Sequence, residues 1–264
     1  MVPSRVILVC ALLLLGPSVA LAEKPDSKKV LAAVKTQLNT LKAPGAVMEV
    51  LKDAAVDKTF PEHVFVTVLY PQFPVARAVP KPLKPACLYV QGGDGKLTLL
   101  ADLQALNDYF GRNVKARKTD EEIKNASKAF LKLYQHFQQD GFYAFALMDG
   151  ETKIEMGEQG KECTVVSVVM KGGNGKMTLV VKFNPEGNYI GVSTSQLLER
   201  GPRPRCQATK LLDPDPIVRH MAEEALLSMG RHAREYLLEQ RAKASPELQK
   251  AIDAIWERIQ REGR

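Results

Sequence analysis

Apolar residues recur every three to four positions in two long segments of the chain, a spacing that is typical of amphipathic helices. The first segment begins at Ser27, and the second covers residues 120–139. The second has a clear start, because Thr119 followed by Glu122 three residues later is a capping box. Shorter helices are predicted over residues 46–55 and 103–110.

Strands are predicted where β-branched and aromatic residues concentrate between turn-forming residues, as in residues 63–70 (HVFVTVLY). The segment 71–85 that follows carries five prolines. It must be an extended loop or an edge, because proline lacks a backbone donor. After Gly141 five strand-like runs follow one another through connections that are too short for parallel crossovers. The sequence therefore predicts an α+β fold in which one antiparallel sheet or two such sheets pack with helices.

A glycine-rich loop occurs twice, as GGDGK from Gly92 and as GGNGK from Gly172. Neither copy has the spacing of a phosphate-binding Walker loop, and a strand rather than a helix follows each. Both are predicted to be hairpin turns, since Asp-Gly and Asn-Gly favour tight turns. The eighty-residue offset also raises the hypothesis of two α-β-β-β half-units, 27–112 and 119–198, against the alternative that common elements coincide by chance.

The N-terminal residues 1–22 have the features of a secretory signal peptide. Arg5 precedes a ten-residue apolar run, and Ala20 and Ala22 supply the small side chains expected before a cleavage site. The run is too short to span a bilayer, which needs about 20 residues. The protein is therefore expected to be secreted or periplasmic, with no transmembrane segment after signal removal.

The formal net charge of +7 is modest and its basic residues are scattered. No basic stripe alternates with aromatic residues, so a nucleic-acid partner is not predicted. Cys87, Cys163 and Cys206 remain after signal removal and lack zinc or redox spacing. One disulfide with one free thiol is the alternative to buried thiols, and buried thiols are preferred for Cys87 and Cys163.

Candidate chemistry is sparse. The four histidines, His63, His136, His220 and His232, form no metal or catalytic motif, so a surface or packing role is expected for each. Acidic residues around one predicted hairpin are interpreted as a solvated edge, with the nearby arginines as candidate partners. The acids are Asp149, Glu151, Glu155 and Glu158, and the arginines are Arg200, Arg203 and Arg205. No catalytic, cofactor-binding or metal-binding residue is predicted, and no cofactor.

The C-terminal quarter, about residues 212–262, resembles a HEAT-type helical repeat. An Asp-Pro turn at Asp213 opens its first helix, Val218 and Arg219 match the Val-Arg pair of such repeats, and Gly230 ends the helix. Ser245 followed by Pro246 begins a further helix. The resemblance covers about one and a half repeats, whereas stacked repeats usually need about three. The tail is therefore expected to cover its apolar face either on the α+β domain or on a partner.

These observations predict four parts: the signal peptide 1–22, an α+β domain 23–198, a linker 199–212 and a HEAT-like tail 213–264. The α+β part is similar to cystatin-like and nuclear-transport-factor-2-like folds in element order alone. The whole chain resembles uncharacterised exported bacterial proteins, a likeness that implies no activity. The residues predicted to dock a partner lie on the inner faces of the tail helices. They are Leu226, Leu237, Ile252, Ile255 and Trp256.

The expected function is that of an exported, non-enzymatic binding or scaffold protein of the bacterial envelope that acts through contacts with a protein partner. Two alternatives stay open at this point. One is an envelope hydrolase whose residues assemble only in three dimensions, and the other is a cystatin-like regulator of a partner enzyme. A deep cleft with coupled titratable groups would favour the hydrolase, and a shallow groove beside the sheet would favour binding.

Overall fold

The computed structural model describes residues 24–43, 45–70, 79–201, 203 and 207–263. Within them the chain forms seven α-helices and nine strands, arranged in two antiparallel sheets. The helices are α1 Ser27–Thr40, α2 Ala54–Thr59, α3 Leu103–Asn113, α4 Asp120–Phe137, α5 Pro216–Met229, α6 Arg234–Ala242 and α7 Pro246–Arg261. The strands are β1 Val47–Val50, β2 Val64–Leu69, β3 Ala86–Gln91, β4 Leu97–Leu100, β5 Ala144–Leu147, β6 Lys153–Gly157, β7 Gly160–Lys171, β8 Gly173–Phe183 and β9 Tyr189–Arg200. The predicted α+β fold is confirmed.

The helix predicted over residues 46–55 is wrong. Residues Val47–Val50 instead form β1, which pairs with β2 at the edge of the first sheet. The Thr67 hydroxyl of β2 donates to the carbonyl of Glu49, 3.1 Å away. The helix α2 starts later, because Asp53 accepts hydrogen bonds from Ala55 N–H and Val56 N–H and so caps it. Pairing with β2 therefore decides the conformation of a segment whose local pattern is ambiguous.

The first sheet has the strand order β1-β2-β3-β4. In the second sheet β7, β8 and β9 follow in order, and both β5 and β6 pair with β7. Ala144 of β5 lies opposite Lys171, whereas Lys153 of β6 lies opposite Thr164. The two short strands thus lie end to end along one edge of β7, separated by the 3₁₀ helix Asp149–Glu151. β9 forms the opposite edge.

The elements stack in four layers. Helix α1 covers one face of the first sheet through Val30, Val34 and Leu38. The other face of that sheet and the inner face of the second sheet both pack against α2, α3 and α4. Helix α4 begins with the predicted capping box, in which Thr119 and Glu122 exchange hydrogen bonds with each other's backbone. This central helical layer fixes the two sheets relative to each other.

Both glycine loops join paired antiparallel strands, as predicted. They differ in geometry. In the first loop Gly95 N–H donates to the Gly92 carbonyl at 3.0 Å, and Gly95 has φ 73°. In the second loop Gly175 already belongs to β8, where it lies opposite Leu198 of β9. The Asn-Gly pair therefore lies in a strand and not at the tip of a two-residue turn.

The eighty-residue offset maps β2, β3 and β4 onto β5, β7 and β8. It fails for the outer strands: β1 falls on helix α4, and β9 falls on the end of α3 and the connection to α4. The first glycine loop lies between the last two strands of its sheet, and the second lies between two central strands. The three matched strands thus keep the same order in both sheets, but the fourth strand lies beside β2 in the first sheet and beside β8 in the second. No repeated unit is identified in the described residues.

The tail consists of α5, α6 and α7, with a cap at each predicted start. Asp215 caps α5, and Ser245 caps α7. The expectation that the tail needs another surface to cover its apolar face is wrong. Residues Ala208–Leu212 form a 3₁₀ helix that lies against α5 and α7, and it adds Ala208 and Leu211 to the tail's own core. The resemblance to a HEAT repeat stays a prediction.

Cys87 and Cys163 are buried free thiols, as preferred from the sequence. Burial raises the pKa of the Cys87 thiol to about 11, so this group stays protonated at neutral pH. Cys206, the predicted signal peptide 1–22 and most of the proline-rich segment lie outside the described residues. None of the described helices combines the length and the apolar composition that crossing a bilayer requires.

Candidate functional site

The five predicted docking residues occupy two different environments. Leu226, Leu237, Ile252 and Ile255 are buried in the tail's own core, and Trp256 is half-buried against it. Three of the five, Leu237, Ile252 and Trp256, also line a small surface pocket between α6 and α7. The structure thus brings these three together at one opening and places Leu226 and Ile255 inside the core.

A buried ion pair lies where the α+β part meets the tail. Asp140, after α4, and Arg203, after β9, approach to 2.7 Å, and their side chains are 6% and 7% exposed. Asp140 also accepts a hydrogen bond from Phe142 N–H at 3.0 Å. The Arg203 guanidinium lies 5.0 Å from the ring centroids of Phe142 and Tyr143. Arg203 therefore pairs with Asp140. The sequence had suggested the acidic residues around Asp149 as its partners instead.

The second glycine loop packs around this pair. Arg203 donates to the carbonyl of Gly172, and Gly201 N–H donates to the same carbonyl at 3.1 Å. A Cβ atom at Gly172 would lie 2.1 Å from the carbonyl oxygen of Phe142. Glycine is required here because backbone segments approach so closely, and this requirement explains the loop without a ligand.

A groove of about 600 Å³ separates the second glycine loop from helix α6. Its walls include the aromatic rings of Phe142, Tyr143 and Tyr236. Tyr236 lies 6.3 Å from Phe142, ring centroid to centroid, and its hydroxyl accepts a hydrogen bond from Ala208 N–H. The contact between Phe142 and Tyr236 places helix α6 beside the start of the second sheet.

A second groove, of about 750 Å³, adjoins the first glycine loop and contains His63. The imidazole lies edge-on to the rings of Phe60 and Tyr109, at 5.5 and 6.0 Å. Burial lowers the pKa of His63, although Glu62 and Asp94 act in the opposite direction. Its Nδ1 is buried and has no hydrogen-bond partner among the residues that the structure describes. His63 is therefore a neutral imidazole at neutral pH that packs between two rings at the wall of a groove.

His136 has a structural role that the sequence did not reveal. Its Nε2 lies 3.1 Å from the carbonyl oxygen of Val68 and 3.0 Å from that of Cys87, so it must donate to them. Val68 and Cys87 lie opposite each other on β2 and β3. The imidazole thus connects helix α4 to two strands of the first sheet. His220 lies on the tail and is exposed, and the side chain of His232 lies outside the described ones.

The acidic residues expected near one hairpin are dispersed. Asp149 pairs with Lys128 at 2.6 Å, and Glu155 lies on β6 opposite Glu162. Glu151 and Glu158 are exposed. In the part of the chain that the structure describes, no group of three or more histidine, cysteine or acidic side chains is arranged to hold a metal ion.

Strand β9 exposes an unusual length of sheet edge. It has twelve residues, pairs with β8 on one side, and has no strand partner among the described residues on the other. Residues 193–197, a Ser-Thr-Ser-Gln-Leu run, are all exposed. On the outer face of the same sheet Met170 and Leu197 are each 67% exposed. Backbone donors and acceptors and two large apolar side chains are therefore accessible on one surface.

Comparisons with protein-family models, with curated proteins and with solved structures found no match to this chain. The function of the chain is therefore inferred from its own geometry. Sequence reasoning missed two of the features above: the Asp140–Arg203 pair and the open edge of β9. The run NYIGVST predicted the start of β9, but its continuation through residues 195–200 carries mostly polar side chains and gave no strand signal.

Proposed function

We propose that this chain is a non-enzymatic binding or scaffold protein of the bacterial envelope, and that it binds a partner polypeptide by strand addition to β9. The observation that supports this function is the exposed edge along residues 193–197. In strand addition, an extended segment of the partner forms main-chain hydrogen bonds with a free sheet edge. The polar side chains of this run keep the edge hydrated without blocking its backbone groups.

The edge lacks the devices that usually protect exposed strands, such as proline, lysine or a central bulge. The register irregularity of β9 lies near its start, opposite Lys182 and Phe183, and its charged residues Glu199 and Arg200 lie at its end. Between them the strand is regular. An unprotected edge of this length is a hazard for aggregation unless it has a binding partner.

The experiment places a photo-crosslinking amino acid at Thr194, in the middle of the edge, in the organism that produces the protein. The matched control carries it at Gln37, an exposed position on α1. The proposal predicts a crosslinked protein from position 194 and not from position 37. Crosslinking from neither position, or equally from both, contradicts it. The identity of the crosslinked protein then separates a scaffold from a regulator of a partner enzyme.

A further inference from the structure

The pocket between α6 and α7 is small and has largely apolar walls. Its volume is about 100 Å³, and Leu237, Leu238, Ile252 and Trp256 form its apolar walls. An apolar cavity of about 150 Å³ accommodates benzene. The tail pocket is smaller than that cavity and has room for a group such as the side chain of leucine or valine.

The walls differ in rigidity and exposure. Leu237 and Ile252 are each 2% exposed and belong to the tail core, so the floor of the pocket is preformed. Leu238 is 52% exposed and stands beside the opening. A preformed apolar floor lowers the entropic cost of binding, because few side chains must be ordered when the occupant enters.

Charged side chains form the rim of the pocket, and its two arginines, Arg234 and Arg241, differ in their ion pairing. Arg241 donates to both carboxylate oxygens of Asp253, from Nε at 2.6 Å and from Nη2 at 2.9 Å, so these two charges satisfy each other. Arg234 is exposed and forms no ion pair with any described residue. Its guanidinium offers a planar donor pair that matches a carboxylate.

Arg234 also borders the groove between α6 and the second glycine loop. Arg231 of the tail and Lys171 of β7 also line that groove, as do Glu235 and Glu239. A chain that leaves the pocket past Arg234 therefore enters a groove about 600 Å³ in volume. The occupant can be one segment of a longer polypeptide.

We propose that the pocket binds a partner polypeptide that inserts one leucine-sized aliphatic side chain between α6 and α7 and places a neighbouring carboxylate on Arg234. The apolar walls determine the side chain, and the unpaired guanidinium determines the charge beside it. The inference rests on the proposed binding function, but it concerns the tail and not the edge of β9.

The chain contains one tryptophan, Trp256, and it lines the pocket, so its fluorescence reports on occupancy. We would titrate the full chain with three amidated, N-acetylated tripeptides: Glu-Leu-Glu, Lys-Leu-Lys and Glu-Ala-Glu. We expect a saturable change in emission with Glu-Leu-Glu and at least tenfold weaker binding of the other two. A tenfold difference corresponds to about 1.4 kcal/mol. Absence of saturation, or equal affinity for all three peptides, overturns the proposal.

Two variants complete the test. Arg234→Glu should weaken Glu-Leu-Glu binding at least tenfold without changing the melting temperature, whereas Lys35→Glu on α1 should leave binding unchanged. Equal affinity of the Arg234→Glu and parent proteins also overturns the proposal. Because crosslinking at Thr194 is measured separately, loss of peptide binding with intact crosslinking refutes the pocket alone. Loss of the Thr194 crosslink with intact peptide binding refutes strand addition alone.

Discussion

Asp140 and Arg203 form an ion pair across 2.7 Å in which both side chains are almost fully buried. The carboxylate follows α4 at the centre of the molecule, and the guanidinium follows β9 at the start of the connection to the tail. The rings of Phe142 and Tyr143 and the second glycine loop contact the guanidinium of this pair. The contact therefore links the central helical layer, the second sheet and the approach to the tail.

Removing one partner of this pair should be costly. Asp140→Ala leaves the guanidinium buried without its counter-charge, and we expect the free energy of unfolding to fall by about 3–5 kcal/mol. The double variant Asp140→Leu/Arg203→Met removes both charges and should recover much of this loss. Urea denaturation measures both values. A loss below about 1 kcal/mol in the single variant would show that the pair is not buried in solution.

The two glycine loops should respond differently to alanine. At Gly95 the nearest neighbour of an added Cβ is 4.0 Å away, so the cost is only that of left-handed backbone, about 1–2 kcal/mol. At Gly175 the Cβ would lie 1.9 Å from the Leu197 carbonyl oxygen, at φ 120°. We expect Gly175→Ala to cost at least about 3 kcal/mol, since overlap adds to roughly 1–3 kcal/mol of strain. Equal melting temperatures of the two variants would refute this difference.

Because the tail has its own core, the loss of stability on substitution there should depend on how deeply the side chain is buried. Ile252→Ala should lower the free energy of unfolding of the tail by about 2–5 kcal/mol, as expected for a buried aliphatic side chain. Trp256 is half-buried, so Trp256→Ala should cost less, about 1–2 kcal/mol. Hydrogen exchange should show faster opening in α5 and α7 of the Ile252 variant, with α4 unchanged. Equal acceleration in α4 would mean that the tail depends on the α+β part for its stability.

Burial lowers the pKa of His136 below its usual 6.5, against the opposing effect of its two carbonyl acceptors. The unfolded chain therefore binds this proton more readily than the folded chain does. The free energy of unfolding should fall as the pH drops below about 6.5, down to the folded pKa, and should be constant above it. We expect His136→Gln to reduce this acid dependence, to which the buried His63 also contributes, and His220→Gln, an exposed control, to retain it in full. An unchanged slope in the His136 variant contradicts the assignment.

Local sequence signals predicted the helices that begin with capping residues. Thr119 and Glu122 predicted the start of α4, and Ser245 predicted the start of α7, because caps act within one turn. The sequence predicts a helix for the segment Val47–Val50 because its local pattern is ambiguous, and its partner strand β2 begins fourteen residues after β1 ends. Long-range pairing, not local preference, determines such a segment.

The candidate surfaces were harder to predict for a similar physical reason. The sequence identified Leu237, Ile252 and Trp256 as apolar, but not that Ala208–Leu212 would cover part of the same core. It also could not match Arg203 with Asp140, because sixty-three residues separate them. An open sheet edge depends on which strand is last in the sheet, and topology alone determines that.

The measurement that tests the account most directly is hydrogen–deuterium exchange along β9, in the free protein and in the complex captured by the Thr194 crosslink. In the free protein the outward amides of residues 193–197 have no strand partner among the described residues, and they should exchange rapidly. Strand addition predicts strong protection of this run in the complex, with little change in α1. Unchanged exchange along β9 in the complex, with protection elsewhere, would contradict the proposed mode of binding.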